Sequence, residues 1–135
     1  MADSTQTMAE QIGQVAAAFQ QHRTGVEPKS VHVTLRGDTL VVTLRGALSL
    51  AEQTLAQSAK GAAEVQEFHR QLFLTAFDRL RQEIRRITGL NVREAAEVES
   101  AAGAAIQVLA SGTMVQVFQL SGKLPSGDFN SGDDM

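Results

Sequence analysis

Three histidines are the side chains best suited to move a proton or hold a metal near neutral pH, and no two of them stand at ligand spacing. His22 falls at the end of a helical stretch, where a basic group suits the negative end of the helix dipole. His32 takes a polar position in an alternating run. His69 lies inside the apolar arc of a long helix, the setting of a histidine satisfied by a core partner. With Glu64 or Glu67 it makes no metalloprotease pattern. Carboxylates are scattered: Glu52, Glu64, Glu67, Asp78, Glu83, Glu94, Glu97 and Glu99. Glu97 and Glu99 would share a face if their segment is a strand, and Glu94 and Glu97 would be neighbours if it is a helix. Either pair could take a cation, although a solvated edge is the common fate of such residues. Asp128, Asp133 and Asp134 fall in a polar tail.

Other chemistries find no support. There is no cysteine, which removes thiolate metal sites, disulfides and sulfur nucleophiles. No glycine-rich phosphate loop occurs and no serine sits in a nucleophile elbow. Arg36-Gly37-Asp38 reads as turn chemistry. We therefore expect no catalytic residue, no metal and no cofactor. One surface stands out: His32, Arg36 and Arg45, with Thr34 and Thr43, form the polar face of a hairpin. It is mildly basic and could dock an acidic partner or an anion.

The elements that would position these residues follow from periodicity. Thr7 to Arg23 reads as a helix opened by a capping box, Thr7 with Glu10, with Met8, Ile12, Val15 and Phe19 as its apolar stripe. Ser30 to Gly46 alternates with period two about Gly37-Asp38 and predicts a hairpin. Ser49 and Glu52 form a second capping box, opening a short helix to about Ser58 that would bury Leu50, Ala51 and Leu55. Gly61 should break or bend the chain. Ala62 to Thr88 is the dominant helix, with Val65, Phe68, Leu72, Ala76, Leu80, Ile84 and Ile87 as its main stripe. Phe73 and Phe77 widen that stripe beyond what a one-sided helix needs, which suggests a second subunit. Val92 could start a strand. Ala105 to Ala110 and Met114 to Gln119 read as a second hairpin around Ser111-Gly112. The expected fold is α+β: a four-stranded antiparallel sheet built from two hairpins, with a long helix and shorter helices mainly on one face. It occupies residues 7–120, between a flexible N-terminus (1–6) and a disordered tail (121–135).

Composition agrees with one small domain. The chain has 135 residues, 43% of them hydrophobic, and its aromatics are all phenylalanine. The net charge is −3 with only three lysines, Lys29, Lys60 and Lys123, so nucleic acid is not an expected partner. No run approaches the ~18 apolar residues that cross a bilayer. Met1 to Gln6 are polar and carry no signal core. Direct membrane insertion is therefore not expected, and a cytoplasmic location is.

Several blocks are familiar in their order. Lys29 precedes Val31-His32-Val33. Gly37-Asp38 and Leu40-Val41-Val42 lead into Gly46-Ala47-Leu48-Ser49-Leu50-Ala51-Glu52-Gln53-Thr54-Leu55-Ala56. Gly61, Arg70-Gln71-Leu72 and Ile87-Thr88-Gly89-Leu90-Asn91-Val92 follow, and a strand from Val115 through Phe118 to Leu120 closes the set. Together they resemble the MpsC-like family over roughly Ile12 to Leu120. Lys29, Gly46, Leu48, Ser49, Glu52, Leu55, Arg70, Thr88, Gly89 and Phe118 carry the likeness. It implies a small cytoplasmic protein linked to a cation-dependent membrane-potential or bicarbonate-uptake system. The function expected is that of a non-enzymatic accessory protein, a homodimer peripheral to a membrane transport complex. The alternatives are a small-ligand or anion-binding regulator and, after that, an enzyme of unrecognised type.

Overall fold

Thr7 starts the first helix in the computed structural model, which describes residues 7–93 and 104–124. Its Oγ1 accepts from the Glu10 amide at 2.9 Å, and the Glu10 carboxylate accepts from the Thr7 amide at 3.0 Å. Two donors that a helix start would leave unpaired are thereby matched. Helix α1 runs Met8–Thr24 and ends at Gly25, whose φ of +80° is the left-handed conformation that glycine adopts at little cost. Strands β1 (Ser30–Arg36) and β2 (Thr39–Arg45) follow, joined by Gly37-Asp38. Gly37 has φ +62°, which suits the first position of a tight hairpin turn. Then come α2 (Leu50–Leu55), α3 (Ala59–Thr88), β3 (Ala104–Val108) and β4 (Met114–Gln119).

The two hairpins share one antiparallel sheet in the order β1-β2-β4-β3, so β2 and β4 form its centre. The expected α+β architecture is the observed one. Leu40, Val42 and Leu44 of β2 and Met114 and Phe118 of β4 point to one face. There they meet Ile12 and Ala16 of α1 and Phe73, Ala76, Leu80 and Ile84 of α3. The Phe73 and Phe118 rings lie 5.7 Å apart. Burying each of these larger side chains stabilises the fold by roughly 1.5–3 kcal/mol. Val92 contributes an isolated bridge to Leu120.

Three local expectations are corrected. Leu50, Ala51 and Leu55 do not point inward. Leu50 is 78% and Leu55 50% exposed, and α2 buries none of its residues. The helix has only six residues and is anchored by its flanks, the buried Ala47, Leu48 and Ala56. Its less exposed side is polar, through Glu52 and Gln53. Gly61 neither breaks nor bends the chain. It lies in the first turn of α3, where its amide donates to Oγ of the N-cap Ser58 at 3.0 Å. A Cβ there would stand 1.9 Å from the Leu55 carbonyl oxygen, so the glycine exists for a close approach between α2 and α3. Finally, the buried stripe of α3 is rotated from the expected one. It runs Val65, His69, Phe73, Ala76, Leu80, Ile84 and Thr88, leaving Phe68 52% exposed. Part of the apolar breadth of this helix is taken up within the chain, because α3 packs on α1 and on β3 at once, while Phe68 and Leu74 stay exposed.

The β3 edge is closed by a side chain of α3. Gln66 Nε2 donates to the Ile106 carbonyl at 3.0 Å, and Gln66 Oε1 accepts from the Val108 amide at 2.7 Å. Residues 1–6, 94–103 and 125–135 lie outside the described residues, and with them the expected flexible N-terminus, Glu94, Glu97, Glu99 and most of the tail. Its first residues, Ser121 to Leu124, are tied to the body. The Ser121 amide donates to the Asn91 carbonyl at 2.7 Å, and Leu124 packs against the core.

Two outcomes follow from these contacts. Gly61→Ala forces a carbonyl and a methyl apart, at a cost of about 2–4 kcal/mol, so a thermal melt should show Tm lower by roughly 10 °C. Gln66→Leu should cost about 1–3 kcal/mol, and hydrogen exchange should speed up at the Val108 amide while amides of β2 keep their protection.

Candidate functional site

The open face of the sheet carries the residues singled out from the sequence. Both large helices lie on the other side, α1 with Gly13 over Val31 and Val33, α3 with Phe73 against Phe118. On the open face His32 stands opposite Thr43, Thr34 opposite Val41, Arg36 opposite Thr39, and Ser30 opposite Arg45. Arg36 and Arg45 therefore sit at opposite ends of the hairpin, with backbones roughly 20 Å apart at about 3.3 Å per residue. His32 is a diagonal neighbour of Arg45, but the two arginines do not converge on one small ion. The centre of the face is not polar. Val41 pairs with Val117, and Thr43 with Val115, making a β-branched patch bordered on its first-hairpin side by His32, Arg36 and Arg45. The fourth-strand valines belong to this surface because β4, and not the chain neighbour α2, lies beside β2. Reading the first hairpin alone misses them.

A second site was not visible as a cluster in the sequence. His69, 1% exposed, has Nε2 2.7 Å from Oε2 of Glu52, and the two residues are 17 positions apart. Glu52 does two things at once. Its Oε1 accepts from the Ser49 amide at 2.9 Å, completing the cap of α2, and its Oε2 meets the imidazole. Burial raises the affinity of this carboxyl for a proton. The Ser49 amide opposes that most strongly, followed by His69 and the Ser49 hydroxyl, and together they hold the group below its ordinary value of 4.5. An ionised carboxylate only accepts, so the proton of the shared bond sits on His69 Nε2. Ser49 Oγ accepts from the Glu52 amide at 3.2 Å and has no bond to the imidazole. Ser49, Glu52 and His69 thus lack the nucleophile-to-base contact of a hydrolase triad.

Glu52 lines a pocket of about 410 Å³ between α2, the start of α3 and the end of α1. Val65, Leu55 and Phe68 give it apolar walls, and Glu64 and Arg23 complete its charged lining. The Phe68 ring stands edge-on to His69, with centroids 5.1 Å apart. On its inner side His69 lines a cavity of about 20 Å³ together with Gln20 and Gln116. Gln20 Nε2 and Gln116 Oε1 are buried there without a protein partner. That volume has room for a single water, a size at which one molecule could accept from one amide and donate to the other.

The remaining residues of the family-like blocks serve the backbone. The Lys29 amide donates to the Arg45 carbonyl at 2.7 Å, and Gly46, with φ +65°, leaves room for the Lys29 stem. Leu48 and Phe118 are buried. Thr88 Oγ1 donates to the Ile84 carbonyl and accepts from the Leu90 amide, and Gly89 closes α3 with φ +80°. Arg70 grips Glu67 with two bonds of 2.9 Å on the surface. Of the whole set only Ser49, Glu52 and Leu55 line the pocket. Among the described residues no three histidine, aspartate or glutamate side chains gather as metal ligands, and no helix is long and apolar enough to cross a membrane.

Fold and surfaces together define a small one-sheet α+β domain with an uncovered sheet face and a polar-floored pocket among its helices. The chain belongs to the MpsC family: the family model described as "Na+-translocating membrane potential-generating system (MpsC)" matches residues 4–110. The match ends within the second hairpin, before β4 and Phe118. No curated protein and no solved structure matches the chain.

The Glu52 carboxylate makes the stability depend on pH. Because its folded-state value is depressed, its contribution is complete above 4.5 and is lost as the pH falls through the folded value. Glu52→Gln should cost about 1–3 kcal/mol at neutral pH and flatten the acid limb of a denaturation profile taken below pH 4.5.

Proposed function

We propose that this chain is a non-enzymatic accessory of a Na+-translocating membrane potential-generating system, docking onto a partner through the open sheet face. Family membership over residues 4–110 carries this reading. Two features support it. No described helix could itself span a bilayer, so translocation falls to another chain. The sheet face combines an apolar β-branched centre with a basic rim of His32, Arg36 and Arg45, the composition of a protein-docking patch. The protein then works from the cytoplasmic side, held at the membrane by its partner. A second copy is the competing occupant of the same face, and light scattering at micromolar concentration separates a dimer from a monomer.

Arg36→Glu with Arg45→Glu should abolish recovery of the protein with membranes that contain the system, and should leave Tm within about 2 °C, since both side chains are exposed. The same variant should fail to restore a Na+-dependent membrane potential in cells lacking the wild-type chain. Retained membrane recovery would end this reading.

The pocket beside Glu52 favours a second reading, a regulator that binds a small ligand. Thermal-shift measurements with bicarbonate, nucleotides and mono- and divalent cations distinguish it: one ligand should raise Tm by several degrees, whereas a pure docking module responds to none.

A further inference from the structure

We propose that the pocket between α2 and α3 receives a short apolar segment bearing a lysine or arginine, of the kind that borders the cytoplasmic end of a membrane-spanning helix. Its walls make the first half of the case. Val65 is buried, while Leu55 and Phe68 stand about half exposed at the rim of the roughly 410 Å³ space. Leu50, at the start of the same short helix, is 78% exposed. Large side chains held out to water around a concavity mark a surface that another apolar group covers.

Charge makes the second half. Glu52 and Glu64 both line the pocket. Glu52 is held by the Ser49 amide and by His69 Nε2–H, so its carboxylate keeps a fixed orientation at the pocket wall. Glu64 has no cationic partner within 4 Å among the described residues. Arg23, the one cation of the lining, donates Nη1 to Thr75 Oγ1 at 2.9 Å, outside the pocket. The exposed Phe68 ring offers a further face to a cation. An entering group therefore meets apolar walls and, among the lining side chains, two carboxylates against one guanidinium that is turned to Thr75.

The shape selects a chain segment over a free amine. Small-molecule sites enclose most of their ligand, whereas this apolar surface continues outward along α2 through Leu55 to Leu50. Apolar residues beside lysine or arginine are what the positive-inside rule places at cytoplasmic helix ends. The choice of a membrane-bordering segment rests on the accessory reading above, but the surface is distinct from the sheet face, so peptide binding here is tested separately from docking there.

The probe is a short fluorescein-labelled peptide of leucine and lysine, followed by anisotropy against the full chain. Saturable binding is expected, weakening with added salt. Glu64→Lys, and separately Leu55→Ser with Phe68→Ser, should each weaken it about tenfold or more, a change equivalent to 1.4 kcal/mol. All three side chains are exposed, and circular-dichroism melts should confirm that the variants stay folded. Backbone-amide NMR shifts on titration should concentrate in α2 and the first half of α3. The proposal is overturned if the wild type shows no saturable binding, if both variants bind as well as it does, if a leucine–glutamate peptide binds equally, or if hexylamine alone displaces the peptide stoichiometrically. Arg36→Glu with Arg45→Glu should leave the peptide affinity unchanged.

Discussion

A buried imidazole in an aliphatic interior must find an acceptor, and the position of α2 depends on the one it finds. The short helix buries no side chain of its own, so apolar packing holds only its flanks, at Ala47, Leu48 and Ala56. The helix itself is tied down by a carboxylate that caps its first turn and also accepts a hydrogen bond from His69 Nε2–H. Removing the Glu52 carboxylate would leave His69 Nε2–H buried without that acceptor, which costs more than the bond itself contributes. The glycine at position 61 is the steric complement of this bond, because it lets the end of α2 come close enough to α3 for Glu52 to reach. The pocket exists because those two helices are held by a polar tie and are not zipped together by apolar contacts.

Most of the scaffold was legible because its signals are local. Capping boxes at Thr7 and Ser49, period-two alternation over Ser30 to Gly46, and the glycine stops at Gly25 and Gly89 each depend on a few adjacent residues. The structure reproduces all of them. What was illegible depends on partners far apart in sequence. Along α3, Val65, Ala76, Leu80 and Ile84 point inward as expected, but His69 takes the buried place next to Phe68, where Glu52 bonds its ring. Likewise Leu50, Ala51 and Leu55 match an amphipathic pattern, but a six-residue helix has too little length for that pattern to decide its orientation. The valines of the open face could be assigned to it only once β4 was known to lie beside β2.

The family-like blocks divide in the same way. Lys29, Gly46, Leu48, Thr88, Gly89 and Phe118 secure turns, caps and core, whereas Ser49, Glu52 and Leu55 border the pocket. The family-like blocks therefore mark mostly a scaffold. The two accessible surfaces, one with a basic rim and one with carboxylates, give that scaffold opposite electrostatic faces with which to meet other molecules.

The amide of Gln66 spans the carbonyl of one β3 residue and the amide two places on, the spacing at which a residue of an adjoining strand would bond. In effect one side chain stands in for a fifth strand. A sheet finished this way on one margin resists edge-to-edge pairing with other chains from that side, and among the described residues one glutamine supplies that protection.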